Sequence, residues 1–350
     1  MKKRHSFFVI PVIILMLISC GKDPQHVPDN FPETTELYDT EIGKYVLLTQ
    51  TTGQKWLFLL LSNNTACTAS DLPEAQFIAS EQYKGDLIVP KEFTYDSITY
   101  TVTKIGVRSF MRCLDLTSIV IPNTVDTIDA EAFLGCTKIK SLQLPDSLKY
   151  IGTLAFSATG ITTLSFTHNY DIDEFAFSSC PNLESVTLPE GMITIPPFMF
   201  SNCVKLTTVH IPQSVKVIKQ FAFEKTAITS ITLPDSLTSI EFKAFAESNL
   251  TEIAFPNTLK HLCGFYRCKG LTKITIPASV TDIGSSAFQY CSNLREVTSL
   301  ATEPPHFPDL SSNAFNGTNL EVIYVPSESV YRYQHNFGWH DFADIIQPIP

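Results

Sequence analysis

Cysteine and histidine are the residues of this sequence with the widest chemical use, and it contains nine of the former and eight of the latter. A zinc site needs paired ligands a few residues apart that converge on one ion. The spacings Cys263–Cys268 and His335–His340 come closest to such pairs, and each stands alone. Motifs for nucleophilic catalysis, phosphate binding, dinucleotide binding and zinc-dependent proteolysis are absent from the sequence. The sequence therefore predicts no enzyme, no catalytic residue, no metal site and no cofactor.

Six cysteines occupy one recurring position, three residues after a phenylalanine: Cys113, Cys136, Cys180, Cys203, Cys268 and Cys291. Where the next repeat begins one residue sooner, that position holds Thr159, Thr226, Ser248 or Thr318 instead. A residue type that follows loop length indicates packing, and cysteine is small and easily buried. This pattern favours free thiols. The alternative is disulfide bonding within the pairs Cys113–Cys136, Cys180–Cys203 and Cys268–Cys291, because stacked strands lie about 4.8 Å apart.

A repeated element must position these residues, and residues 116–138 give its pattern, LTSIVIPNTVDTIDAEAFLGCTK. From Leu116 the pattern recurs at intervals of 23, 22, 22, 23, 22, 22, 21, 23 and 26 residues, starting at Ile139, Ile161, Leu183, Leu206, Ile228, Leu250, Leu271, Leu294 and Leu320. A period of about 20–29 residues with an L-x-x-I-x-I core predicts a leucine-rich-repeat solenoid. We expect a parallel β-sheet of about ten short strands, with few helices.

Each repeat supplies a short strand and one aromatic ring. Ile119 and Ile121 lie two residues apart and share one face of a strand, which Pro122 ends because it cannot donate to a sheet ladder. One phenylalanine recurs in every repeat, usually after an alanine: Phe110, Phe133, Phe156, Phe177, Phe200, Phe223, Phe245, Phe265, Phe288 and Phe315. We call this set the inner column. Stacked turns would bury it, and each ring would contribute roughly 1.5–3 kcal/mol.

The composition allows a large core and excludes some classes of partner. The chain has 350 residues, 44% of them hydrophobic, and a formal net charge of −10. Without the first 19 residues, 22 basic residues stand against 35 acidic ones, which gives a net charge of −13. An acidic surface disfavours nucleic acid and anionic membranes as partners.

The N-terminus carries the features of an export signal. Basic residues at positions 2–4 precede an apolar run over 7–18, which is too short for a membrane span. The run ends in LISC at 17–20, which resembles the lipobox of bacterial lipoproteins. The resemblance implies acylation of Cys20 and stable anchoring to a membrane. An ordinary secretory peptide with an incidental cysteine is the alternative.

These patterns also predict the organisation of the chain. Residues 1–19 are the lipoprotein signal peptide, and residues 20–36 form a lipid-anchored flexible tether, because they are proline-rich and have little to bury. Residues 37–84 form a β-rich N-terminal cap, with a hairpin turn at Gly53 and Trp56 in its core. Residues 85–326 are the leucine-rich repeats. Residues 327–350 form a short C-terminal cap beginning with a helix capped by Ser327, and an aromatic binding patch there is the alternative.

The repeats resemble a known family, most clearly over Leu271–Leu294, which reads LTKITIPASVTDIGSSAFQYCSNL. They are similar to the BspA-type leucine-rich repeats of bacterial surface proteins, and the resemblance covers about residues 85–350. It implies a solenoid and, for the members that act as adhesins, binding to host matrix proteins or to other bacteria. Repeats 161–183 and 250–271 depart from the pattern, so we expect local kinks there.

The predicted function is therefore that of a cell-surface lipoprotein, a non-catalytic protein-binding or adhesion module. We expect it on the bacterial outer membrane, facing outward, with its lipid anchor as the sole membrane contact. The expected partner is a host matrix protein or a bacterial surface protein. The alternative is a glycan-binding accessory lipoprotein of a surface nutrient-uptake system. Aromatic side chains on the outward strand positions would favour glycan, and none occurs there before Tyr324.

A binding region is predicted on the outward strand positions, which run from Ser118 towards the C-terminus. Those in the first repeats are uncharged and mostly hydroxylic, and serine and threonine rarely anchor an interface. The later ones have longer polar groups. We therefore predict that a partner contacts the C-terminal half, with four residues nearest to it: His210, Glu252, Lys273 and Tyr324. A merely solvated row is the alternative.

Overall fold

The computed structural model describes residues 32–39, 44–50, 54–69, 83–308 and 314–350. The predicted signal peptide and Cys20 lie outside these residues. No helix within the described ranges is long and apolar enough to cross a membrane.

The N-terminal part is an antiparallel sheet of β1 (Pro32–Asp39), β2 (Lys44–Gln50), β3 (Lys55–Leu60) and β4 (Thr65–Thr68). The predicted hairpin is confirmed, since Leu47 of β2 lies opposite Leu57 of β3; the turn at Gly53 lies outside the described residues. Trp56 is buried, as predicted.

The predicted tether, residues 20–36, was wrong at its C-terminal end. Strand β1 begins at Pro32 and pairs along β2, so the last residues of 20–36 form part of the sheet.

Three further strands join this cap to the repeats: β5 (Gly85–Ile88), β6 (Glu92–Tyr95) and β7 (Ile98–Ile105). Strands β6 and β7 form a hairpin through Asp96 and Ser97, whose positive φ angles of 48° and 62° suit a two-residue hairpin turn. Strand β7 also pairs in parallel with β4 of the cap. The sheet of the cap therefore continues into the repeats.

The first half of the array contains β8 (Leu116–Val120), β9 (Thr127–Ile128), β10 (Tyr150–Ile151), β11 (Thr163–Ser165), β12 (Asp171–Ile172), β13 (Ser185–Thr187), β14 (Thr194–Ile195) and β15 (Thr208–His210). The second half and the end of the chain contain β16 (Val217–Ile218), β17 (Ser239–Ile240), β18 (His261–Leu262), β19 (Lys273–Ile276), β20 (Asp282–Ile283), β21 (Glu296–Ser299), β22 (Val322–Val325) and β23 (Ile346–Pro348).

These strands form two sets that run along the array, one from the L-x-x-I-x-I segment of each repeat and one from the segment that follows it, the return limb. The first set, which we call the strand face, contains the hydrogen-bonded groups β5-β8, β11-β13-β15 and β19-β21-β22-β23. The return limbs form two ladders, one running from β7 through β9 and β10 to β12 and the other from β14 through β16, β17 and β18 to β20. All these pairs are parallel and join consecutive turns. This is the predicted parallel β-solenoid.

The inner column fills the middle of every turn, as predicted. Its ten rings are buried, and consecutive centroids lie 5.0–6.2 Å apart with planes within 21°. Each backbone N–H in the column from Phe110 to Phe288 donates to the carbonyl of the residue before the next ring, as Phe133 does to Ala155 (2.7 Å). An alanine suits that position, because its small side chain lets the two turns approach.

The two irregular repeats differ from each other. In the described chain, the return-limb ladder is interrupted between β12 and β14, directly after repeat 161–183. There Thr167 stands in place of proline, and its hydroxyl lies 3.1 Å from the Tyr170 hydroxyl. In repeat 250–271 the ladder continues, because β18 pairs with both β17 and β20. The shorter loop of this repeat is accommodated within the stack.

The C-terminal end covers the last turn with a 3-10 turn (Ser327–Ser329), helix α1 (Val330–His335), a second 3-10 turn (His340–Ile345) and β23. Trp339 is buried and its Nε1 donates to the Pro305 carbonyl (2.9 Å). The predicted cap by Ser327 was wrong. Ser327 starts the 3-10 turn, its hydroxyl donates to the Glu328 carboxylate (3.3 Å), and helix α1 begins only at Val330.

Candidate functional site

The strand face presents its outward side chains to solvent along the whole array. We call these positions the strand row, and all of them are exposed or partly exposed: Ser118, Val120, Ser141, Gln143, Thr163, Ser165, Ser185, Thr187, Thr208, His210, Ser230, Thr232, Glu252, Ala254, Lys273 and Thr275. The alternate side chains point inward, as Ile119 and Ile121 do. The strand row therefore keeps the two-residue alternation of a half-buried strand from turn to turn. In the described chain, the turns that begin at Ile139, Ile228 and Leu250 keep this alternation without forming a regular strand on this face.

At its N-terminal end the strand row has hydroxyls that are already engaged. Thr117 and Ser118 both donate to Oδ1 of Asp86, at 2.7 and 2.6 Å. These hydrogen bonds, that from Ser118 first, lower the pKa of Asp86 below its ordinary value. Beside them, Ile88 and Val120 pair in register. Both side chains are exposed. This end therefore offers a partner two aliphatic side chains and hydroxyls that are already hydrogen-bonded.

The four predicted partner-binding residues lie in the C-terminal half, on two adjacent lines of outward side chains that run along the array. His210, Glu252 and Lys273 are exposed, and Tyr324 is partly buried. Lys273 pairs with Glu296 on one line, whereas Tyr324 pairs with Thr298 on the neighbouring line.

The four residues are also spread along the array. Five turn-to-turn steps, from the repeat at Leu206 to that at Leu320, separate His210 from Tyr324. At about 4.8 Å a step this is about 24 Å. The structure therefore places them on one elongated surface and does not bring them together in a pocket.

The cysteine pair with near-zinc spacing does not converge on one point. Cys263 is partly exposed and its thiol donates to the Ser285 carbonyl (3.2 Å). Cys268 is buried and its thiol donates to the Phe245 carbonyl (3.0 Å). Burial raises the pKa of Cys268 to about 12, which makes this thiol unreactive.

The histidine pair also has separate partners. His335 Nδ1 lies 2.8 Å from the Tyr331 carbonyl oxygen, and His340 Nε2 lies 3.1 Å from a carboxylate oxygen of Asp341. In the part of the chain that the structure describes, no group of three or more His, Cys, Asp or Glu side chains is placed to hold a metal ion.

The recurring cysteines bond one turn to the next. Five of them donate to the carbonyl of the inner-column ring one turn earlier, at 2.9–3.3 Å, and these five are free thiols: Cys136, Cys180, Cys203, Cys268 and Cys291. Where the loop is shorter, the hydroxyls of Thr159, Thr226 and Thr318 donate to the ring carbonyl of their own turn, at 2.7–2.9 Å. The exchange of Cys for Thr therefore has the packing cause that the loop lengths predict.

A second aromatic series was not predicted from the sequence. Phe175, Phe198 and Phe221 lie two residues before an inner-column ring and stack on one another. The series continues into aromatic and basic side chains of the next turns. We call the whole set the outer strip: Phe175, Phe198, Phe221, Phe242, Lys243, Tyr266, Arg267 and Tyr290. Its sequence signal is a second aromatic beside the repeated one, as in DEFAF, PFMF and QFAF.

Two shallow grooves indent the surface. One, of about 300 Å³, is lined by Glu247, Ser248, Asn249, Arg267, Lys269 and Gly270 and so touches the outer strip. The other, of about 380 Å³, is lined by Glu184, Val204, Lys205, Thr207 and Ala227, beside the strand row. Both are near the lower size limit of ligand pockets, which favours contact with an extended surface over enclosure of a small molecule.

With this geometry in place, comparison with known proteins supplies the family. The profile described as "BspA type Leucine rich repeat region" matches residues 103–226 and 216–340, in six copies. The chain belongs to the BspA-type leucine-rich repeat family. The resemblance of the repeats is thereby confirmed. A search of curated proteins gave no match for this BspA-type chain.

Solved structures similar to this BspA-type chain come from several bacteria. A leucine rich cell surface protein from Faecalibacterium prausnitzii A2-165 is 23% identical, covers 80% of this chain and 94% of its own, and has a TM-score of 0.44. A leucine-rich repeat protein from Bacteroides ovatus ATCC 8483 is 21% identical, with coverages of 84% and 98% and a TM-score of 0.40. The pneumococcal vaccine antigen PcpA is 14% identical, with coverages of 86% and 96% and a TM-score of 0.35.

Proposed function

We propose that this BspA-type protein is a non-catalytic adhesion module that binds another protein through its array. The observation that carries the proposal is the strand row, an exposed and mostly polar surface that three groups of parallel strands, β5-β8, β11-β13-β15 and β19-β21-β22-β23, support along the array. Solenoids of this kind present extended surfaces on which a partner can lie. The expected partner is a host matrix protein or a protein on the surface of another bacterium.

The C-terminal half of the strand row is the part best suited to contact a partner. His210, Glu252 and Lys273 have reach and hydrogen-bonding capacity that the serines and threonines of the first turns lack. Tyr324 adds a partly buried aromatic ring, of the residue type that often anchors interfaces. Strands β19, β21, β22 and β23 support this end as one sheet. A fixed surface loses little freedom on binding, which favours affinity.

We place the protein at the outer membrane, held by lipid on Cys20 and facing outward. The support is the lipobox-like sequence at 17–20, followed by Gly21 at the position where an inner-membrane retention signal of proteobacterial lipoproteins has aspartate. Cys20→Ser is expected to leave the protein unprocessed or to release it from the membrane fraction, and labelled palmitate should enter the wild-type chain alone. Absence of label from the wild type would contradict the anchor.

The binding proposal is tested with two matched quadruple variants. Fibronectin, laminin and collagen are immobilised, and binding of the purified protein is measured. Replacing Thr208, His210, Glu252 and Lys273 by alanine is expected to weaken binding to the matrix protein that responds. Replacing Ser118, Ser141, Thr163 and Ser185 by alanine should change it little. Equal affinities would remove the case for a site in the C-terminal half, and binding to none of the three would count against a matrix partner.

A further inference from the structure

The outer strip begins with three stacked phenylalanines on consecutive turns. The ring centroids of Phe175 and Phe198 lie 4.2 Å apart, and those of Phe198 and Phe221 lie 4.6 Å apart, with planes within 10° in both cases. Phe242 then meets Phe221 edge-on at 5.5 Å. All four are partly exposed. They form an apolar ridge along the side of the array.

The strip continues as an alternation of cations and tyrosines. The Lys243 amine lies over two rings, 4.9 Å from the centroid of Phe242 and 4.1 Å from that of Tyr266. The Arg267 guanidinium lies 5.1 Å from the centroid of Tyr266 and 5.5 Å from that of Tyr290. Each cation is therefore held between two aromatic side chains. Such contacts fix the position of the charge.

The fold does not require these aromatics. They lie outside the hydrophobic core, which contains the inner column and the residues packed against it. In other turns the position two residues before the inner-column ring has the same left-handed backbone, with φ near 60°, and holds Arg108, Glu131, Leu154, Lys243 or Ser286. Because polar and charged residues occupy it without loss of the turn, phenylalanine in three consecutive turns has another cause.

The way the rings are covered points to the class of partner. The faces of the stacked phenylalanines cover one another, so solvent reaches their edges. Tyr290 has Arg267 over its ring and Gly317 against it, where an added Cβ would lie 2.4 Å from Cδ1. Sugars stack on ring faces, whereas aliphatic and aromatic side chains of a protein also pack against ring edges. The strip therefore suits a protein better than a glycan.

The two cations of the strip contact aromatic rings and form no ion pair with the residues that the structure describes. Among the described residues, neither Lys243 nor Arg267 has a carboxylate oxygen within 4.0 Å. By contrast, Lys219 pairs with Glu241 at 2.8 Å and Arg295 with Glu321 at 2.7 Å. The strip therefore presents two fixed positive charges at one end of an apolar ridge, on a protein whose net charge is −10.

We propose that the outer strip is a second interaction surface, and that it binds a protein segment in which a run of apolar side chains adjoins a pair of carboxylates. The apolar side chains pack on the phenylalanine edges, and the carboxylates meet Lys243 and Arg267. Tyr and Arg are the residue types that most often dominate binding energy. The strip is ordered before binding, so little side-chain entropy is lost. The proposal extends the adhesion function to a surface separate from the strand row.

Asparagine substitutions test the ridge without disturbing the fold. Phe175, Phe198 and Phe221 are replaced together by asparagine, which tolerates the left-handed backbone at these positions. The matched control replaces Arg108, Glu131 and Leu154 by asparagine, since these residues have the same backbone in three consecutive turns that contribute no residue to the outer strip. A third variant, Lys243→Gln with Arg267→Gln, removes the charges. All three are expected to unfold thermally within a few degrees of wild type, because the positions lie outside the core.

The probe is a library of 12-residue peptides displayed on phage, selected on the full-length wild-type protein. The enriched peptides should combine Asp or Glu with Leu, Ile, Val, Phe or Tyr. Their affinity should fall at least about tenfold in the triple asparagine variant and in the charge variant, and stay within about twofold in the control. The charge variant should also lose most of the salt dependence of binding.

Several results would overturn the proposal. One is a failure to enrich acidic–apolar peptides; another is their binding equally to wild type and to the triple asparagine variant. Heparin and polygalacturonate are tested in parallel. If they bind and the triple variant loses them while peptides do not bind, the strip is a glycan surface and the protein assignment is wrong. Matrix binding measured with the same variants separates this result from the strand-row proposal, because the strip variants should leave strand-row binding intact.

Discussion

The inner column and the outer strip use the same residue type two positions apart in the same turns. In both, phenylalanine rings stack from turn to turn at about the spacing of the strands. The inner ring recurs in every turn, is buried and belongs to the core. The outer ring occurs in only three consecutive turns and lies outside the core. A residue that recurs in every repeat is required by the fold. A residue that occurs in only a few repeats has a role other than maintaining the fold.

The backbone does not explain the difference. Phe198 has φ 55°, and Glu131 at the equivalent position has φ 58°. Left-handed backbone costs any residue other than glycine roughly 1–2 kcal/mol. The repeat bears that cost in nearly every turn, whatever the side chain is. Selection of phenylalanine must therefore act through what the side chain contacts outside the backbone.

The largest expected effect separates the two series directly. Phe200→Ala removes a fully buried ring from the inner column and leaves a cavity, which should lower the free energy of unfolding by about 3–5 kcal/mol. Phe198→Ala, two residues earlier, removes one stacked, partly exposed ring and should cost about 1 kcal/mol. Denaturant titration of both variants measures the difference. Similar losses would mean that the outer ring is a structural element of the core after all.

A smaller effect tests whether loop length selects the residue at the recurring cysteine position, three residues after each inner-column ring. Cys203 is fully buried in a turn with the longer loop, and threonine there adds a methyl group to a filled site. Cys203→Thr should therefore cost about 1–3 kcal/mol. The reverse change, Thr226→Cys, loses one within-turn hydrogen bond and should cost about 1 kcal/mol or less. If the two unfolding curves shift equally, loop length does not select the residue.

The smallest effect concerns Asp129, a carboxyl group in the repeat that contains the inner-column ring Phe133. Asp129 is partly buried, and this burial raises its pKa above the usual 3.8, against the opposing effect of Lys104. A raised pKa in the folded state means that ionisation of Asp129 destabilises the fold as the pH rises through that pKa. Asp129→Asn should therefore be slightly more stable than wild type at pH 7, and equal to it below pH 3.8, where the carboxyl is neutral in both states. Thermal melts at the two pH values measure this, and a variant less stable at pH 7 would contradict it.

Most of the fold could be predicted because the sequence repeats it. Ten copies of one pattern average out local exceptions, so the strand alternation, the inner column and the shift from Cys203 to Thr226 with loop length were all visible. The hairpin of β2 and β3 followed from alternating residues around a turn. Departures from the repeat were harder to interpret. Repeat 161–183 interrupts a ladder and repeat 250–271 does not, since the outcome depends on hydrogen bonds between turns.

The candidate sites could be predicted only in part. The strand row follows from alternation, so His210 and Lys273 were expected to be exposed, and they are. Whether Lys273 and Tyr324 lie on the same line of outward side chains depends on the strand register across the longer repeat between Leu294 and Leu320. The sequence does not define that register. The outer strip was hidden because Phe198 and Phe200 are the same letter in one turn, and only their different burial distinguishes them. The start of β1 at Pro32 was missed because proline is usual in a tether and also tolerated in an edge strand.

The sheet shared by the cap and the repeats determines how the molecule bears tension. From β1 the hydrogen-bonded path runs through β2, β3, β4 and β7 to β9, β10 and β12 without a gap. A force applied at the N-terminal end and resisted at a bound partner therefore passes through strand ladders and not through a linker between two bodies. The path ends at β12, where the next ladder starts separately at β14. At this junction the strand-face ladder of β11 and β13 joins the two turns instead, so the load passes there from the return limbs to the strand face. Resistance to the load is set by the rate of unfolding and not by equilibrium stability.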